Sequence, residues 1–341
     1  GHDGFAWEDV EQVLGELLPA DAKQVANSGD TCSMSHLGIG LCGKTNAVSR
    51  LNAEVASEMF SGTKIHPITN GIHHRTWTSP ATAALFDEQL EGWRSEPNRI
   101  SEAPGIPRDS LSKARKENRE ALRKMVKERT GVELKPKLLT IGFARRFATY
   151  KRANLVFSDL ERLRAIGADR IQFVFSGKAH PRDEGGKALI RQIFEGAEEL
   201  QNEIPVAFLP DYSMEIGQVM TGGVDVWLNN PIRPMEASGT SGMKAAMNGV
   251  PNLSILDGWW PEACIHGVNG WAIGDSEAER DDERDVRALY RILEQEVLPV
   301  WENDQEKWTR IMQASMAVSA GFTGARMIQD YIGFYDQFRM D

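Results

Sequence analysis

From residue 138 onward, short apolar runs alternate with stretches that carry apolar residues at helical spacing. Residues 138–143, 171–175, 206–209, 224–228 and 252–256 are each four to six residues long and mostly apolar, the signature of buried strands. Between them, 153–166, 187–200 and 214–220 read as helices. A further helix carrying Lys244 is expected after the fourth run. Repeated strand–helix units predict an α/β domain, a Rossmann-like parallel sheet with helices on both faces. In such sheets ligands bind beyond the carboxyl ends of the strands. Three amphipathic helices are expected after the last run, over 285–298, 305–319 and 323–338.

The first hundred residues have a different texture. Residues 7–18 predict a short helix, and 34–59 one or two helices with a stripe of Val48, Leu51, Val55 and Met59. Ser79-Pro80 supplies a cap and first turn for a helix over 79–90. Residues 91–107 hold three prolines among polar residues and read as a linker. A domain boundary is therefore expected there, giving 1–107 as a mainly helical part and 108–341 as the sheet domain. A long charged helix opens the latter over 109–130, ended by Gly131.

Composition narrows the function classes. The 341 residues are 41% hydrophobic, as a folded protein with a large core requires. Acidic residues outnumber basic ones, 49 to 39, for a net charge of −10, which argues against nucleic-acid or anionic-membrane partners. The three cysteines, Cys32, Cys42 and Cys264, show no metal-ligand spacing and are read as reduced thiols of a cytoplasmic protein with no metal site. No signal-peptide pattern or membrane-length apolar run occurs in the residues present.

Two stretches carry the candidate chemistry. After the fourth strand comes Glu236-Ala237-Ser238-Gly239-Thr240-Ser241-Gly242-Met243-Lys244. Its glycines and hydroxyls at a helix start suit an anion, because backbone N–H groups there lack partners. Lys244, flanked by Met243, Ala245, Ala246 and Met247, must snorkel, pair or do chemistry. A desolvated lysine beside a phosphate site can hold an aldehyde cofactor covalently. On the residues alone, an amine that reaches solvent or a carboxylate is the favoured reading. After the first strand, Arg145, Arg146, Lys151 and Arg152 place four cations within eight residues, suited to phosphate oxygens or to a solvated basic loop.

The first of these stretches resembles the cofactor-lysine segment of the α-glucan (glycogen, starch, maltodextrin) phosphorylases, and most closely their shorter bacterial and archaeal branch. The resemblance implies the two-domain GT-B fold and pyridoxal 5′-phosphate on Lys244. It also implies that Gly239, Thr240, Arg145 and Tyr212 lie at the cofactor phosphate, and that Arg146 and Lys151 bind inorganic phosphate. Glu236, Ser238 and Gly239 would meet hydroxyls of the transferred glucose. Asn70, in Ile68-Thr69-Asn70-Gly71-Ile72, would approach its 6-hydroxyl. Substrates would be an α-1,4-glucan or maltodextrin with inorganic phosphate, and the product glucose 1-phosphate; a homo-oligomer stays open.

In that family the cofactor phosphate exchanges a proton with the substrate phosphate, which protonates the glycosidic oxygen. Two neighbouring phosphates would account for the crowd of cations.

The residues 46–55 resemble the family's helix beside the glucose site. Gly43 stands where the muscle-type enzymes carry a histidine, and Lys44 after it is read as a solvated lysine. Ser176-Gly177-Lys178-Ala179-His180-Pro181 resembles the family's Gly-Lys-Ala turn, with His180 in a structural role or supporting the site without touching the ligand. Asp257-Gly258 matches a family turn, while Trp259 and Trp260 suit either core or sugar stacking.

The Gly1-His2-Asp3 stretch, without an initiating methionine, resembles a segment well inside the family's first domain. The chain is therefore expected to be the C-terminal part of a longer protein and inactive alone. The alternatives are a sugar-nucleotide glycosyltransferase of GT-B type, against which Lys244 stands in place of a second glutamate, and a non-catalytic fragment.

Overall fold

The computed structural model describes residues 3–275 and 281–336. It divides into two compact units, Gly1–Ile68 and Thr69–Asp341. In the smaller unit, Thr31–Ser33 pairs antiparallel with both Gly4–Ala6 and Asn27–Ser28. Residues 7–18, expected as one helix, form Trp7–Leu14 and then a 3-10 turn, because Gly15 adopts φ 52°. Residues 34–59 form two helices, Met34–Leu41 and Arg50–Met59, separated by the strand Thr45–Ala47.

The larger unit is built on a six-stranded parallel sheet. Its strands are β1 (Leu139–Ala144), β2 (Ile171–Ser176), β3 (Val206–Leu209), β4 (Val226–Asn229), β5 (Asn252–Ile255) and β6 (Gly270–Ile273). Their order in space is β6-β5-β4-β1-β2-β3. This is the doubly wound order, and the chain reverses direction between β1 and β4. Alternate side chains serve opposite faces. Ile141, Phe143, Phe173 and Phe175 enter one apolar cluster, while Ala144, Val174 and Trp227 enter another. The second cluster is completed by helices α2 (Arg108–Thr130), α5 (Met214–Gly223) and α6 (Ser241–Met247).

Capping explains several boundaries. Helix α1 (Pro80–Gln89) starts where the Ser79 hydroxyl accepts the Thr82 N–H, with proline in the first turn. Helix α2 stops at Gly131, whose φ is 74°. Helices α3 (Leu160–Gly167) and α4 (Glu184–Leu200) are capped by Asp159 and Asp183.

The helix expected over 153–166 begins only at Leu160. Arg152 is left-handed (φ 46°), and Leu155–Phe157 is a 3-10 turn. Residues 91–107 are packed rather than extended: Pro97–Gly105 is a 3-10 segment with Ile100, Ala103 and Ile106 buried. The Ile106 carbonyl there accepts from Gln313 on α8 (Gln305–Ser319).

Strand β6 had no apolar run long enough to announce it. The helix expected over 285–298 starts as α7 (Asp282–Ile292) and passes through a π-helical turn, Leu293–Val297. Helix α9 (Gly324–Asp336) matches the last expected helix, whose end at residues 337–338 lies outside the described residues, as do Gly1 and His2.

Candidate functional site

The loops after β1 and β4 meet at the reversal point. The loop after β1 is braced by the turn after β2. There the Phe147 N–H donates to the Lys178 carbonyl at 2.9 Å, and Gly177 has φ 145°. A Cβ on Gly177 would lie 1.9 Å from the Arg145 carbonyl oxygen, so only glycine lets the two loops close.

The four cations of this loop part company. Arg152 is buried and ties the loop to its surroundings. Its guanidinium donates to the carbonyls of Asn230 (2.9 Å) and Pro231 (2.8 Å) and pairs with Asp282 and Asp285. Arg146 is exposed. Arg145 and Lys151 turn inward.

Both of these reach one oxygen of Glu236. Arg145 Nη2 is 2.6 Å and Lys151 Nζ 2.7 Å from Glu236 Oε2, with the three side chains only 7%, 8% and 12% exposed. Burial pushes the Glu236 carboxyl upward, but Arg145 and Lys151 outweigh it and hold the group below the usual carboxylate value.

The Glu236 backbone is fixed as well. Its N–H donates to Asp257 Oδ2 (2.9 Å), whose partner oxygen accepts the Gly258 N–H (2.8 Å). Burial pushes Asp257 up to about 6, against these two bonds. Gly258, at φ 59°, lets the turn press on Ser238: a Cβ there would be 2.1 Å from the Ser238 carbonyl. The same carbonyl accepts the Trp259 N–H at 2.8 Å.

Two polar atoms in this hollow are buried without a hydrogen-bond partner, Arg145 Nη1 and Ser238 Oγ. Gly239 completes the wall; a Cβ on it would sit 3.4 Å from Arg145 Nη2.

Lys244 lies one turn further along. Thr240 makes no side-chain cap to α6, but its carbonyl accepts the Lys244 N–H. Met243, Ala245, Ala246 and Met247 are wholly buried, so this short helix is largely core, as its residues implied. The half-buried Lys244 amine lies over the Trp77 indole, 3.5 Å from the ring centroid. No hydrogen bond or ion pair to that amine occurs among the described residues. Burial lowers its pKa to about 8.

Trp77 is pinned there by Asn248, one turn beyond the lysine. The Asn248 amide donates to the carbonyls of Trp77 (2.7 Å) and Lys244 (2.9 Å), and its oxygen accepts the Ser79 N–H (2.8 Å). Tyr212 joins from the far side of Gly217. A Cβ on that glycine would be 2.7 Å from the Tyr212 hydroxyl and 3.4 Å from the Trp77 ring. Burial raises the Tyr212 pKa.

The other candidates fall elsewhere. The Asn70 carbonyl accepts from Arg326, and the neighbouring Thr69 hydroxyl is bonded to Glu262. The Asn70 side chain is not among the groups bonded around Glu236. Trp259 and Trp260 are 3% and 1% exposed, with Trp259 packed edge-on to Phe322, so they are core rather than an open platform. His180 sits exposed in its turn, where its ring accepts the Arg182 N–H. Gly43 and Lys44 belong to the smaller unit.

The site therefore presents inward cations, unpartnered donors and a desolvated amine at the sheet's reversal point. A family model, the carbohydrate phosphorylases, matches residues 12–263. This chain belongs to the carbohydrate phosphorylase family. It is 39% identical to the maltodextrin phosphorylase of Thermococcus litoralis, over 99% of this chain and 45% of that protein. It is 40% identical to the glycogen phosphorylase of Aquifex aeolicus, over 96% and 52%. Against the glycogen phosphorylase of Mycobacterium tuberculosis the identity is 36%, over 98% and 45%. The chain thus spans about half the length of these relatives.

Trp77 and Asn248 are residues of this candidate site that motif reading did not single out. Trp77 sits more than a hundred and sixty positions before Lys244, and only the folded chain brings its ring to the amine. For Asn248 the signal was available: a buried asparagine one turn past a lysine on an otherwise apolar helix.

Proposed function

We propose that the protein containing this chain carries out phosphorolysis of α-1,4-glucans. The bond from the terminal glucosyl C1 to the glucan oxygen breaks, C1 joins a phosphate oxygen, and the glucan oxygen takes a proton. Glucose 1-phosphate and a shortened glucan result. One observation carries the reading: Arg145 and Lys151 converge, buried, on Glu236, in the turn that leads into the helix carrying the unpaired Lys244 amine. A hydrolase would commonly rely on two carboxylates flanking the bond; here the cations dominate.

The residues suit pyridoxal 5′-phosphate. An amine lowered to about 8 by burial is uncharged often enough to attack an aldehyde. Arg145 Nη1 is buried with no partner of its own, a donor left for a second anion besides Glu236. When bound, the cofactor supplies a phosphate that relays a proton to the substrate phosphate. Lys244 would hold it, with Gly239, Thr240, Arg145 and Tyr212 around its phosphate. Arg146 and Lys151 would orient the substrate phosphate, while Glu236, Ser238, Gly239 and Asn70 would receive the glucosyl hydroxyls.

We further read the six-stranded sheet as one of the two Rossmann-like domains of the GT-B plan, in a cytoplasmic protein. The doubly wound strand order and the free cysteines support this. No helix among the described residues is long and apolar enough to cross a membrane. The test is product analysis with full-length protein, maltodextrin and phosphate. Phosphate-dependent release of glucose 1-phosphate is expected; free glucose, or dependence on a nucleotide sugar, would refute the reading.

A further inference from the structure

We propose that Glu236 is the resident counter-anion of the phosphate cradle, occupying the place beside Lys151 and Arg145 Nη2 that substrate phosphate takes, with Arg145 Nη1 left for the cofactor phosphate, so that substrate phosphate enters only by displacing it. The inference rests on the functional reading above and assigns a gate to that site.

Three observations support it. Arg145 and Lys151 donate to the same oxygen, Glu236 Oε2, so the carboxylate sits between the cations rather than beside one of them. All three side chains are largely excluded from water, where like charges repel far more strongly than on the surface. A phosphate bound to both cations with Glu236 still in place would set two anions in contact in that hollow.

The third observation concerns what moves. The Glu236 main chain is anchored through its N–H to Asp257, so displacement is a side-chain rotation and leaves the turn intact. Ser238 Oγ is also buried and unpartnered in the same hollow. The cradle thus has a hydroxyl that Glu236 does not satisfy, as expected if a larger anion with more acceptor oxygens replaces it.

Glu236 therefore serves two states. Before phosphate arrives it neutralises buried cations that would otherwise be costly. Once displaced, its carboxylate is released toward the sugar hydroxyls that the functional reading assigns to it.

The test is isothermal titration of inorganic phosphate into the full-length holoprotein. Glu236→Gln keeps the shape and removes the competing charge, and it should bind phosphate about tenfold tighter or more. Lys151→Met separates the two ways of being wrong. If it leaves phosphate affinity unchanged, the cradle is not the phosphate site and the functional reading fails with the proposal. If Lys151→Met weakens binding at least about tenfold while Glu236→Gln binds no tighter than wild type, the site stands and the counter-anion role is overturned. Should Glu236→Gln misfold, a structure of wild-type protein with phosphate bound decides. Glu236 Oε2 withdrawn from both cations supports the proposal; Glu236 still bonded to both beside the phosphate refutes it.

Discussion

The Lys244 amine lies 3.5 Å from the centroid of the Trp77 indole, and no hydrogen bond or ion pair among the described residues engages it. The ring covers the amine with a flat apolar surface and offers it only a weak electrostatic partner. Burial dominates, and the amine titrates at about 8 instead of the usual 10.5. Trp77→Ala would admit water. The pH midpoint for labelling of Lys244 by an amine-reactive reagent in cofactor-free protein should then move up from about 8 toward 10.5. A midpoint that stays put would mean the indole does not shield the amine.

The same shift links stability to pH. Between about 8 and 10.5 the folded state has released the Lys244 proton while the unfolded chain still holds it, so stability from this group rises with pH across that window. Below about 8 both states are charged and the cost of burying the charge is fully present. In cofactor-free protein, Lys244→Met should raise stability at pH 7 by roughly 1–3 kcal/mol, with the difference closing by about pH 10.5. Urea titrations at the two pH values measure this.

Asn248 joins the Trp77 segment to the lysine helix, and its substitution should loosen both. Asn248→Ala leaves the Trp77 carbonyl and the Ser79 N–H without their buried partner. A loss of roughly 2–4 kcal/mol is expected, read from the denaturant midpoint. A change below about 0.5 kcal/mol, the surface range, would show these bonds are replaced by water.

Gly177 fixes how closely the loops after β1 and β2 approach. Since an added Cβ would meet the Arg145 backbone at 1.9 Å, Gly177→Ala must move that loop. We expect roughly 2–4 kcal/mol of destabilisation. Any folded fraction should show a weaker response to phosphate than to glucan, because Arg145 and Lys151 sit on the displaced loop. Equal effects on both would place the loop away from phosphate.

Much of the sheet was legible because its strands are buried on both faces and read as apolar runs. The Phe173-Val174-Phe175 stretch is one instance, with alternate residues feeding opposite clusters. Strand β6 was not, since Gly270-Trp271-Ala272-Ile273 is four residues long with one glycine and takes its order from pairing with β5. The cation-rich loop was legible as a loop, but not in its division of labour. Arg152 differs from Arg145 only in which carbonyls and carboxylates the fold sets beside it. Likewise Trp259 and Trp260 could not be assigned from their type alone. Phe322, more than sixty residues later, is what makes Trp259 core.

The central claim is that the amine over Trp77 is the cofactor's anchor. Borohydride reduction of the full-length holoprotein, followed by digestion and mass analysis, tests it most directly. The pyridoxyl label is expected on Lys244. A label on another lysine, or a protein that carries none when isolated and when mixed with pyridoxal phosphate, would contradict the account.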